Sequence, residues 1–144
     1  MGENASTNVK IKLVSSIVPI EGELETYEMW LEGQHIIKNG TSFLRYVEVQ
    51  EDKTIQTTIK LVENRSFITR SGAVNMRLPL NTTQEERGHY ESNYGSIPIV
   101  TKTKEIIYEV NKQPHLFKTN YDLIIGGASV GNYTLEIKFS EVQS

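Results

Sequence analysis

Cysteine is absent from this 144-residue chain, which removes disulfide frameworks, thiolate metal sites and cysteine nucleophiles from consideration. Alanine is scarce as well, with 3 residues against 15 Ile, 11 Val and 13 Thr. β-Branched side chains lose χ1 freedom in a helix and pack well on a pleated surface, so this balance points to strands. No apolar run reaches the ~18 residues of a membrane-spanning helix. Basic residues are in the minority: Lys+Arg is 15 and Asp+Glu is 18, a net charge of -3. A protein built around phosphate contacts carries a basic excess, so no nucleic-acid partner is expected. Met1 to Lys10 is polar and lacks the apolar core of a secretory signal, so the expectation is a soluble, cytoplasmic protein with no membrane partner.

Two short patterns are read as incidental. Met1-Gly2 through Ser6 matches a myristoylation motif, but no basic flank supplies the second signal that stable anchoring needs. Five Asn-x-Ser/Thr sequons, at Asn4, Asn39, Asn64, Asn81 and Asn132, are read as turn and strand residues in a chain without a secretory signal.

What the chain does have is alternation. Val9, Ile11 and Leu13 alternate with Lys10 and Lys12. Ile55, Thr57, Ile59 and Leu61 do the same, as do Phe117, Thr119, Tyr121, Leu123 and Ile125, and later Tyr133, Leu135, Ile137 and Phe139. A period of two marks a half-buried strand. Between the runs lie turn residues, the clearest being Asn39-Gly40, where a two-residue type I′ hairpin needs φ > 0 twice. Gly33 interrupts its strand and predicts a bulge or bend. The polar segment Asn81 to Gly88 reads as a loop: Thr82 and Glu85 have capping-box spacing, but no apolar helical run follows. About ten strands at short spacing, with no 3.6-residue period, predict one all-β domain. An open sheet of that size would leave long edges, so closure as an antiparallel barrel or sandwich is expected. The assignment is a flexible N-terminal tail over residues 1–8 and an up-and-down β-barrel of about 8–10 strands over residues 9–141.

Several blocks then resemble the YwiB-like family of uncharacterised bacterial proteins. One runs from Gly33 across the hairpin to Arg45-Tyr46-Val47-Glu48. The most specific is Thr69-Arg70-Ser71-Gly72-Ala73-Val74-Asn75-Met76, followed by Tyr90, Tyr94-Gly95, Thr101-Lys102-Thr103 and Tyr121-Asp122-Leu123. Together they cover Val9 to about Glu141. Where the family usually has an aromatic residue after the Arg-Ser-Gly block, this chain has Leu78 or Leu80. The Gly-x-Trp signature of secreted lipocalins is missing, and the single Trp30 sits in Glu28-Met29-Trp30-Leu31. The resemblance implies a calycin-like, lipocalin-like barrel and carries no activity with it.

Arg70 is the most informative residue for function. It shares a strand face with Ile68 and is placed to point into the barrel or its mouth. A buried guanidinium needs a carboxylate or several acceptors, and Glu48 and Tyr46 stand two apart on one face of another strand. As a site, Arg70 would anchor an anionic group, with Tyr46, Tyr90 or Tyr121 as orienting hydroxyls. Thr101 and Thr103 could line the same cavity, though threonine is an ordinary strand residue that bonds neighbouring backbone. As structure, the same groups form an Arg–Glu network that closes the barrel, and that plainer reading is favoured. His35, His89 and His115 lack metal-ligand spacing, and no nucleophile elbow or phosphate-binding loop occurs. No metal, cofactor or catalytic residue is therefore expected. The expectation is a barrel that binds a small, anionic molecule in its interior. The alternative is a filled, non-enzymatic interaction or scaffolding protein, as a homodimer.

Overall fold

The computed structural model describes residues 4–142, so the Gly2 motif lies outside the described residues. Ten strands, and no helix, are found among them. They are β1 (Ala5–Pro19), β2 (Glu25–Lys38), β3 (Thr41–Gln50), β4 (Lys53–Lys60) and β5 (Arg65–Gly72). The second half comprises β6 (Asn75–Asn81), β7 (Glu86–Ser92), β8 (Gly95–Glu109), β9 (His115–Ile125) and β10 (Ala128–Glu141). Every strand pairs antiparallel with its neighbours in sequence, and β1 pairs with β10, so the sheet closes as a ten-stranded barrel. Closure removes most of the free edge that an open sheet of this size would expose, although β2 and β3 pair only over Gly33 to Lys38 and β6 and β7 only over Asn75 to Arg77.

The alternation read from the sequence becomes the inside and outside of the barrel. Ile11 pairs with Leu31 on one side and Phe139 on the other. Ile137 faces Phe117, and Ile59 lies between Leu44 and Ile68. Phe117, Phe139, Ile11, Leu44, Ile59 and Ile137 are all fully buried, in one continuous core cluster. Each such side chain contributes about 1.5–3 kcal/mol relative to leaving it in water. The Asn39-Gly40 turn has φ of 53° and 80°, the double positive value that its sequence predicts.

Three boundaries differ from the sequence reading. β1 begins at Ala5, because Ala5 to Asn8 pair with Gln34 to Ile37 of β2; alternation alone could not show pairing by these polar residues. The Gly33 strand is unbroken, and the glycine serves a close approach. A Cβ there would lie 2.5 Å from the Arg45 carbonyl oxygen and 2.7 Å from Ile11 Cδ1. Third, β6 runs through Pro79 to Asn81, and β7 already starts at Glu86. β6 and β7 pair only from Asn75 to Arg77. Proline has no N–H to extend a ladder, and beyond it β6 leaves β7 and is held by β8 instead. The Thr101 hydroxyl donates to the Pro79 carbonyl, and the Asn81 N–H donates to Thr103 Oγ1 at 3.3 Å.

Candidate functional site

Cross-strand register assembles the site from distant segments. Tyr90 pairs with Met76, Met76 with Arg70, Arg70 with Thr57, Thr57 with Tyr46, and Tyr46 with Gly33. One inward-facing row thus carries Tyr90, Arg70 and Tyr46 around half the barrel, since side chains on directly paired residues share a face. Glu48 lies one inward position beyond Tyr46, beside the β3–β4 turn. Its Oε1 is 3.5 Å from Arg70 Nη2. The Glu48 side chain is 9% exposed and that of Arg70 is 29% exposed, so the pair sits where the interior meets water.

The neighbours of the pair are phenols. Tyr46 and Tyr121 are buried, and Tyr121 stacks on Tyr133 with ring centroids 5.5 Å apart and planes 4° from parallel. Burial pushes the Tyr46 hydroxyl well above its ordinary value, and the Glu48 charge pushes it further. Arg70 and the Thr57 hydroxyl pull the other way. Thr57 Oγ1 lies near that phenol without completing a hydrogen bond, and it is buried with no partner. Burial likewise raises Tyr121, with Tyr133 and Tyr46 adding to it and Arg70 opposing. Both tyrosines therefore stay protonated near neutral pH and act as hydroxyl donors or acceptors, never as charges.

The structure brings Arg70, Glu48, Tyr46 and Tyr121 into one electrostatic neighbourhood. Tyr90 is half-buried at the end of the same row. Thr101 and Thr103 are buried, and both hydroxyls are engaged by β6 backbone. These bonds stand in for ladder partners that β7 no longer supplies beyond Pro79. A threonine at each position is explained by that geometry, because a buried backbone group left unpaired costs about 1–3 kcal/mol.

Two groupings were invisible in the sequence. At the opposite end of the barrel His35 and His115 lie with ring centroids 5.7 Å apart, and both pack on Phe139. His35 Nε2 and His115 Nδ1 are buried and unpartnered. Gln113 contacts His115 Nε2 at 3.0 Å. Burial lowers the His35 pKa, and His115 lowers it further, while Glu141 opposes the shift. Among the described residues no group of three or more His, Asp or Glu is arranged to hold a metal, so this pair lacks the third ligand of an ordinary zinc site. The second grouping is on the outer wall. Lys60, Arg65, Arg77 and Arg87 line a cavity of about 350 Å³ with Phe67, Pro79 and Glu86. The one hint in the sequence is that all five arginines fall between Arg45 and Arg87.

The chain has relatives among known proteins. The family model described as "Domain of unknown function (DUF1934)" matches residues 11–137. A curated relative, the uncharacterized beta-barrel protein YwiB of Bacillus subtilis (strain 168), is 26% identical over 113 residues, covering 78% of this chain and 80% of the relative. The crystal structure of the ywiB protein from Bacillus subtilis superposes with a TM-score of 0.82 at 22% identity, covering 96% of this chain and 94% of that one. The structural likeness shows a shared fold.

Proposed function

The chain belongs to the DUF1934 family, the YwiB-like group of uncharacterised bacterial β-barrels, and from that premise we propose that it binds a small anionic molecule at the barrel end around Arg70. The observation that carries this reading is the state of the Arg70 guanidinium. It has five N–H donors in a fixed fork, yet among the described residues it makes one ion pair, to Glu48, and no hydrogen bond. Glu48 orients the guanidinium, and the donors left over are available to a carboxylate or phosphate. Buried phenols lower the local dielectric and strengthen that attraction. The packed core fills the middle of the barrel, so the ligand's place is the polar end rather than a deep internal cavity. Tyr46 and Tyr121 are the orienting hydroxyls in this reading, with Tyr90 at the margin; Thr101 and Thr103 are left out because β6 occupies them.

A thermal-shift screen with carboxylate and phosphate metabolites tests the proposal. A ligand that raises the melting temperature of the native chain and fails to raise that of Arg70→Met supports it. Equal shifts in both proteins with the carboxylate ligands, or no shift of the native chain by any ligand, refute it. Native mass spectrometry of protein from its own host is the companion experiment, since it reads both ligand mass and oligomeric state.

A second reading, an interaction barrel that self-associates, is favoured by one observation. β2 pairs with β3 only over Gly33 to Lys38. Glu25 to Glu32 of β2 and Val47 to Val49 of β3 thus have no ladder between them, and Trp30 and Val49 in these segments are 68% and 69% exposed. Unpaired edges with exposed apolar residues are places where another strand can add. A dimer in native mass spectrometry that Trp30→Lys abolishes would support this alternative.

A further inference from the structure

We propose that the cavity on the outer wall of β4 to β7 is a second, independent site, and that it binds a small phosphorylated molecule. The cavity exists because Pro79 cannot continue the β6–β7 ladder. Pairing stops at Arg77 and His89, and the separating strands leave room between Pro79 and Leu80 on one side and Glu86 and Arg87 on the other. Ser66 closes the floor, with its hydroxyl donating to the Lys60 carbonyl. Gly88 keeps β7 close to the Arg77 carbonyl at the point of divergence, where no Cβ would fit.

The charge around this opening is unlike the rest of the molecule. Four cations, Lys60, Arg65, Arg77 and Arg87, meet one carboxylate, Glu86, in a chain whose net charge is -3. Among the described residues none of the four cations lies within ion-pair distance of a carboxylate. Two are held over the Phe67 ring: Arg77 Cζ is 4.8 Å and Lys60 Nζ 6.0 Å from its centroid. Cation–π contact fixes their position while leaving N–H donors unspent. Glu86 offsets only one of the four charges: its carboxylate accepts from Asn81 Nδ2 at 2.9 Å and Gln84 Nε2 at 3.1 Å, and it also feels the charge of Arg65. Four cations facing one carboxylate leave a net positive excess whose members repel one another, and a bound anion relieves that repulsion.

The chemistry of the cations selects the ligand. Three of the four are arginines, whose planar forks match phosphate oxygens two at a time. A single carboxylate offers too little charge for four cations, whereas a phosphate ester or polyphosphate supplies two or more. About 350 Å³ is at the small end of ligand cavities, which suits a metabolite. A nucleic acid would extend past the cavity onto a chain whose net charge is -3, so the small molecule is favoured over the polymer.

Isothermal titration calorimetry with tripolyphosphate as the probe tests the inference at low and moderate salt. The expected result is saturable binding that weakens as salt rises, and that falls by about a hundredfold in the Arg65→Gln/Arg77→Gln/Arg87→Gln protein. Lys10→Gln/Lys38→Gln/Lys112→Gln removes the same charge from exposed positions elsewhere and should change affinity only a few-fold. If the first triple variant misfolds, Arg65→Gln/Arg87→Gln keeps the Arg77–Phe67 contact and should still lose about tenfold. No binding by the native chain, or equal losses in pocket and control variants, would overturn the proposal. So would a single-stranded RNA oligomer that binds more tightly than tripolyphosphate. Arg70 and its neighbours take no part in this cavity, so failure here leaves the reading of the barrel end standing, and the reverse.

Discussion

Thr101 on β8 hydrogen-bonds to the carbonyl of Pro79 on β6, reaching past the strand that should lie between them. A proline without an N–H ends one ladder, and a threonine hydroxyl two strands away restores the lost partner. The same departure opens the cationic cavity on the outside. The core seal and the surface opening therefore have one cause.

Thr101→Val keeps the shape and removes the donor, leaving the Pro79 carbonyl buried and unpaired. The expected cost is about 1–3 kcal/mol, read as a lower urea midpoint with an unchanged m-value. A variant as stable as the native chain would show that the hydroxyl is dispensable.

Arg70 and Glu48 should behave as a coupled pair. Arg70→Met strands a nearly buried carboxylate, and Glu48→Gln strands a cation that is still partly hydrated. Complete burial would make either change severe, but the exposure of Arg70 screens the interaction, so about 1–2 kcal/mol is expected for each single variant. The double variant should cost clearly less than the sum. Strict additivity in a denaturation cycle would dissolve the pair as a unit.

His35 should make folding sensitive to mild acid. Its folded pKa lies below the ordinary 6.5, through burial and the neighbouring His115. Above that value both folded and unfolded chains hold it neutral, and it contributes nothing to pH dependence. As pH falls through 6.5 the unfolded chain takes up the proton first, so stability is lost until the folded form also protonates. The urea midpoint should therefore drop between about pH 7.5 and pH 5.5, and His35→Gln should flatten that drop. An identical drop in both proteins would assign the sensitivity elsewhere.

How much of this was legible beforehand differs by element. Asn39-Gly40 announced its turn because only a few residues tolerate two positive φ values in succession. The Phe117 to Ile125 run announced its inward face because side chains on a strand alternate strictly. Arg70 and Glu48 were readable as partners because a cation on an inward face demands an acceptor. Pro79 was visible, but not that β6 would continue past it to β8. His35 and His115 stand 80 positions apart, and nothing local relates them. Lys60, Arg65, Arg77 and Arg87 each look like an ordinary solvated residue on an ordinary strand.

The sequence by itself therefore determined an all-β chain, its turns and the inside and outside of most strands, because these follow from backbone sterics and a two-residue period. Only the tertiary structure decided which residues stand beside one another. Register and closure are set jointly by all ten strands, and a slip of one residue would reverse every face. The Arg70–Glu48 pair, the facing histidines and the cationic cavity are products of that register.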